Sequence, residues 1–269
     1  AGTGITIDQA TGNVTVSSAS NSPLRYDANT TGIEPVLGSN NASGAFATIA
    51  GGKNNIASGN NSFVGGGNCN CAIGVCSSVV GGHTNTVASS YSFIGGGRGN
   101  GVTNVCASVV GGVSNYARGN KSFVGGGSYN NACGTNSSIV GGASNTASGN
   151  CASIIGGGGN TASGNNSIVG GCSNTASNTW AVTSGGFLNV ASGYLSKVGG
   201  GRGNTASATA SAILGGCSNN TSAFTCSMIV GSNITANRAC TTFVNDLTIV
   251  SAAACSGCSV GISTNGLLI

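Results

Sequence analysis

The chain has 269 residues, yet only 12 are charged, eight Lys or Arg against four Asp or Glu; 50 are glycine, 12 cysteine and two proline. A net charge of +4 without a basic run excludes an electrostatic track for nucleic acid. No apolar stretch approaches the roughly 18 residues of a membrane-spanning helix. Mean hydropathy is positive at +0.21 and apolar pairs recur regularly, which favours an ordered repeat over a low-complexity linker.

Residues 1–45 stand outside any repeat. Here Thr3 to Ile7 and Val14 to Val16 alternate and predict short strands around the turn residues Thr11-Gly12-Asn13. Ala1-Gly2-Thr3-Gly4 lacks the basic start and apolar run of a signal peptide. Both prolines, Pro23 and Pro35, fall here, and their absence afterwards fits a region whose backbone N–H groups are used in strand ladders.

From 46 to 235 a Gly-Gly doublet recurs, almost always after two apolar residues. The first glycines are Gly51, Gly65, Gly81, Gly95, Gly111, Gly125, Gly141, Gly156, Gly170, Gly185, Gly199 and Gly215, at intervals of 14, 16, 14, 16, 14, 16, 15, 14, 15, 14 and 16. A period this short holds no helix pair and predicts one coil of a β-solenoid. Each coil reads Ser-Φ-Φ-Gly-Gly, as in Ser78–Gly82, and then Asn-Thr-Ala-Ser-Gly, as in Asn145–Gly149. That is two short strands and two turns, with Gly and Asn supplying left-handed corners. About thirteen coils at a strand spacing of ~4.8 Å would span ~60 Å. Residues 236–269 break the period, with strand-like Thr242-Phe243-Val244 and Leu247–Val250, then Cys255-Ser256-Gly257-Cys258.

The apolar pair carries the main inference. Neighbouring side chains on a strand point to opposite faces, so in Phe63-Val64, Phe93-Ile94, Phe123-Val124 or Ile154-Ile155 one member points in and the other out. Nine of the twelve pairs are large and apolar at both places; Ala50, Thr183 and Lys197 are the exceptions. Lys197 stands first in its pair, which marks the first place as outward. An outward stripe of this length exceeds what monomers expose. Covering it contributes about 1.5–3 kcal/mol per side chain, so the expectation is self-association around an axis, most simply a parallel homotrimer.

The motifs Asn61-Ser62-Phe63-Val64-Gly65-Gly66, Asn166–Gly171 and Asn174-Thr175-Ala176-Ser177 resemble the head repeats of YadA-like trimeric autotransporter adhesins, and similar repeats occur in phage tail fibres and surface fibres of large viruses. The resemblance covers about residues 40–235. It implies an all-β, left-handed parallel β-roll with ~15-residue coils, three associated chains, and an adhesive role on a cell or virion surface. The partners it implies are the chain itself and a host-surface glycan or protein receptor; charge and hydropathy, for their part, predict neither nucleic-acid binding nor membrane insertion.

Catalysis is not expected. The carboxylates are Asp8, Asp27, Glu34 and Asp246, so the repeat lacks the acids that a glycan-cleaving solenoid uses and the Asp of calcium-binding nonapeptide repeats. The single His83 has no acidic neighbour, and no catalytic, cofactor or metal site is expected. The glycine-rich runs Gly95–Asn100 and Gly199–Asn204 lack the helix context of a phosphate loop and read as corners. Arg98 and Arg202 hold the same place in their coils, and with Arg118 and Lys121 they are candidates for contact with an anionic glycan.

An even count of twelve cysteines favours an oxidising, extracellular setting, so all are disulfide candidates: Cys69, Cys71, Cys76, Cys106, Cys133, Cys151, Cys172, Cys217, Cys226, Cys240, Cys255 and Cys258. Cys76, Cys106, Cys151 and Cys226 share one register, and Cys172 and Cys217 another. Equivalent members lie in non-adjacent coils, which leaves pairing between different positions or between chains. Cys69-x-Cys71-x4-Cys76 lacks zinc-finger spacing. A monomeric ice-binding solenoid is the alternative. Against it stand the alternating coil lengths and the replacement of the recurrent Thr (146, 161, 175, 205) by Val190 or Ile56. A polysaccharide-degrading spike is disfavoured by the missing carboxylates.

Overall fold

The computed structural model describes residues 4–7, 14–17, 24–26, 32–35 and 39–246. Leu247–Val250, Cys255 and Cys258 lie outside these residues. The expected N-terminal strands form an antiparallel pair, Gly4–Ile7 with Val14–Ser17.

Between Ile33 and Val244 the described residues form a parallel β-solenoid of about 14 coils. Each coil contributes a two- or three-residue strand to a long sheet, and most contribute a second strand to an 11-stranded short sheet. Long-sheet strands begin at Thr48, Phe63, Ser78, Phe93, Ser108, Phe123, Ser138, Ser153 and Ile168, a constant step of 15. They continue at Val182, Lys197, Ala212, Met228 and Thr242. A third side is a line of single bridges from Lys53 through Asn68, His83 and Arg98 to Cys217. The coil is therefore three-sided, where the sequence predicts two strands and two turns. The ladder also takes in Ile33–Pro35 at one end and Thr242–Val244 at the other, beyond the 46–235 span of the doublets.

Constant register corrects the alternating coil length. Numbering a coil from the first long-sheet residue, the doublet opens at position 3 in Phe63-Val64-Gly65 and at position 4 in Ser78-Val79-Val80-Gly81. Through Gly141 the doublet slides by one residue between neighbouring coils, while the coils from Thr48 to Ile168 stay at 15. Position 5 is glycine in the coils that begin at Thr48 through Ser153 and at Val182 through Ala212, as Gly52, Gly67 and Gly82, with positive φ; Gly171 takes this place in the shorter coil from Ile168, and Ser232 stands there in the coil from Met228. A Cβ on Gly112 would stand 2.2 Å from the Gly127 carbonyl oxygen of the next coil. The corners at positions 7 and 14 also turn left-handed, but there Asn, Ser, Cys, Tyr and Trp hold φ between +52° and +61° with their side chains outside.

The interior is one side chain thick. Position 2 of the long sheet supplies a column of Val and Ile (Val64, Val79, Ile94, Val109 and so on), all fully buried. Position 10 of the short sheet supplies a facing column that is mostly Ala. Position 8 is a buried column of asparagines running from Asn40 to Asn219. The Asn100 Oδ1 accepts the Asn115 N–H at 2.9 Å, and the Asn115 Nδ2 donates to Gly111 O and Gly127 O at 2.9 Å each. The asparagines read in the sequence as corner formers are thus side-chain rungs that satisfy backbone groups inside the coil. At the N-terminal end Glu34 takes the place of the aliphatic column, buried, and its Oε2 accepts the Ala42 N–H at 2.6 Å.

Candidate interaction surface

The strand period sends positions 1 and 3 of the long sheet outward on either side of the buried position 2. From Phe63 to Val140, which of the two carries the large apolar group alternates coil by coil. Phe63 stands beside Gly65, then Ser78 beside Val80, Phe93 beside Gly95, Ser108 beside Val110, Phe123 beside Gly125. The Phe ring leans over its glycine: a Cβ on Gly65 would be 3.3 Å from the Phe63 ring edge. The stripe continues through Val140, Ile155 and Ile168, is interrupted at the exposed Lys197 and resumes at Leu214 and Met228, with Phe63 38 % and Val140 61 % exposed.

One member of each pair does point in and the other out. The first place is outward for Lys197, but in the Ser-Val-Val coils the first member is buried and the second exposed. Thr183 is buried at position 2, its hydroxyl donating to Thr175 O at 3.1 Å. Parallel sheets are ordinarily covered on both faces. Within the described residues the outer face of this one is bare over ~50 Å, the height of about a dozen coils.

The candidate cations do not converge. Arg98 and Arg202 share the bridge line as expected, but seven coils separate them, ~34 Å at the strand spacing. Arg118 lies on the short sheet with its guanidinium 4.4 Å from the Tyr116 ring centre, and Lys121 sits at a position-14 corner. Arg202 rests 6.0 Å from the Phe187 ring centre. The closest basic grouping is His83 and Arg98, in bridge-paired adjacent coils with Lys53 two coils before them. The His83 Nδ1 lies 3.2 Å from the Thr84 hydroxyl.

The ten cysteines among the described residues, Cys69, Cys71, Cys76, Cys106, Cys133, Cys151, Cys172, Cys217, Cys226 and Cys240, are free thiols within the chain. Cys76, Cys106, Cys151 and Cys226 occupy the exposed position-14 corner, and Cys172 and Cys217 the bridge line three coils apart. Cys240 belongs to the first group too. Its N–H donates to Thr225 O just as the Cys226 N–H donates to Thr209 O, so these two equivalent thiols do stand in successive coils, contrary to the expectation for this register. Burial, then the neighbouring Cys69, pushes the Cys71 thiol pKa up.

These features define the class of the protein: an all-β repeat protein, a parallel β-solenoid with an uncovered apolar sheet face. No known family model matches the chain, and a comparison with curated proteins found no similar sequence.

Proposed function

We propose that the chain is the shaft or head of a non-catalytic surface fibre, built as a parallel homotrimer of left-handed β-rolls and displayed on a cell or virion. One observation carries this reading: the apolar stripe on the long sheet, which a one-side-chain-thick interior has no means of covering from within. Three chains that set this stripe on a common axis bury it along its whole length, each side chain contributing about 1.5–3 kcal/mol. The resemblance to adhesin heads and viral fibres supports the same assembly. The exposed corner cysteines supply thiols for bonds between chains, and a host glycan or protein receptor is the partner an adhesive fibre takes. Scattered cations make electrostatic capture of an anionic glycan the weaker part of the reading.

Light scattering of the purified chain is expected to give the mass of three chains. Val110→Asp, on the stripe, is expected to release monomers that keep their β-sheet circular dichroism. A wild-type monomer would overturn the trimer. In a denaturing gel without reductant, a band above the monomer places disulfides between chains, and a mobility unchanged by reductant removes them.

A further inference from the structure

The short sheet carries a pattern that a fibre shaft leaves unused. Its outward residues stand at positions 9 and 11, either side of the buried position-10 residue. Thr-Ala-Ser recurs there at 146–148, 161–163, 175–177 and 205–207, with Val190-Ala191-Ser192 in the coil between. The first column is in direct parallel register, Thr146 to Thr161 to Thr175 to Val190 to Thr205. The serine column follows it: the N–H groups of Ser148, Ser163, Ser177 and Ser192 donate to the alanine carbonyls of the next coil at 2.9–3.0 Å. The result is a grid of five rows and two columns, with rows ~4.8 Å apart and columns ~6.7 Å apart. Ser207 turns its hydroxyl back to Ser222 O at 2.6 Å; the other hydroxyls of the grid make no hydrogen bond among the described residues.

The fold does not require this regularity. In earlier coils the same first column holds Ile56, Cys71, Gly101, Tyr116 and Asn131. In the five grid coils themselves the position-14 corner changes freely, through Cys151, Asn166, Trp180, Leu195 and Ala210. Uniformity is confined to one face. The one short step among these coils, from Ile168 to Val182, is taken up at the glycine doublet and leaves Thr161 and Thr175 in register. Alternating coil length, the sequence-based objection to such an array, belongs to the doublets alone, and Ile56 lies outside the grid.

We propose that this grid binds ice. It bears neither a charge nor an aromatic ring, so it offers no counter-charge to an ionic ligand and no stacking platform to a sugar. What it offers is methyl and hydroxyl groups repeated in two dimensions, with each Thr stiff about χ1. One hydrogen bond contributes only about 0.5–1.5 kcal/mol net, and only many equal contacts met at once by a ligand of matching periodicity add up. Crystalline water is such a ligand.

The test uses the full chain and a seeded ice crystal under a cold-stage microscope. Wild type is expected to facet the crystal and hold back its growth. Thr161→Tyr, which puts a bulky ring mid-grid, is expected to lose the greater part of that effect, and Thr86→Tyr, in the same column outside the grid, to keep it. Ser177→Lys serves if Thr161→Tyr fails to fold, with circular dichroism as the check. Round, unshaped crystals with wild type would overturn the proposal, as would equal losses in both tyrosine variants. Binding to chitin or cellulose powder that Thr161→Tyr abolishes, without ice shaping, would replace ice by a glycan. None of these outcomes depends on the number of chains.

Discussion

Gly111 and Gly112 are adjacent, identical and physically unlike. Gly112 turns at φ +91°, and a Cβ there would meet the Gly127 carbonyl oxygen at 2.2 Å and the Asn115 Nδ2 at 2.6 Å. Around Gly111 nothing lies within 4 Å of where a Cβ would stand. Left-handed φ alone is bearable, since corners at Cys106 and Trp180 adopt it; contact with the next coil's backbone is what excludes a side chain. Gly112→Ala is therefore expected to cost at least about 2 kcal/mol. Gly111→Ala is expected to leave stability unchanged or raise it by up to about 1 kcal/mol, through the unfolded chain. Chemical denaturation of the two variants measures the contrast.

At the scale of the repeating element, two polar columns share the interior and do opposite things. From Asn55 to Asn219 each asparagine of position 8 bonds three backbone groups, so Asn115→Ala would strand Gly111 O and the Asn130 N–H and leave Gly127 O with the Val113 N–H alone. At about 1–3 kcal/mol for each of the two unsatisfied buried groups, a loss of ~2 kcal/mol or more is expected. The serines of position 15 are also buried, yet the hydroxyls of Ser62, Ser77, Ser122, Ser137, Ser167 and Ser196 make no hydrogen bond. The chain already places Ala47, Ala107, Ala152 and Ala181 in this column. Ser137→Ala is expected to leave the melting temperature unchanged or raise it, because it removes a desolvated hydroxyl and opens no cavity larger than one oxygen.

For the whole molecule, stability rests on ladders and apolar columns, with hardly any charge involved. The melting temperature is expected to vary little with salt, or between mild acid and mild base. The exception lies at high pH. Burial, aided by Cys69, raises the Cys71 thiol above its ordinary value of 9.0, so the unfolded chain loses that proton first. Its contribution is fully present below pH 9.0 and is lost as pH rises through the raised value. A melting series should be flat near neutrality and decline only above about pH 9, and Cys71→Ser should soften that decline. A steep slope between pH 5 and 8 would contradict this account of the fold.

The sequence by itself determined the period, the two strands of each coil, the in-and-out split of the apolar pair and the scarcity of ionic chemistry. These follow from local rules: glycine at tight corners and alternation along a strand. Only the tertiary structure decided the phase. A repeat can be counted from any residue that recurs, and counting from the doublet made coils seem to alternate between 14 and 16. Hydrogen bonds between coils count from the strand, at 15. That register is what stacks Asn on Asn, brings Cys240 one coil beyond Cys226, separates Arg98 from Arg202 and squares the Thr-Ala-Ser rows into a grid. Such neighbours lie some fifteen residues or more apart in the chain, where local propensity has no hold and the pairing of backbone groups does.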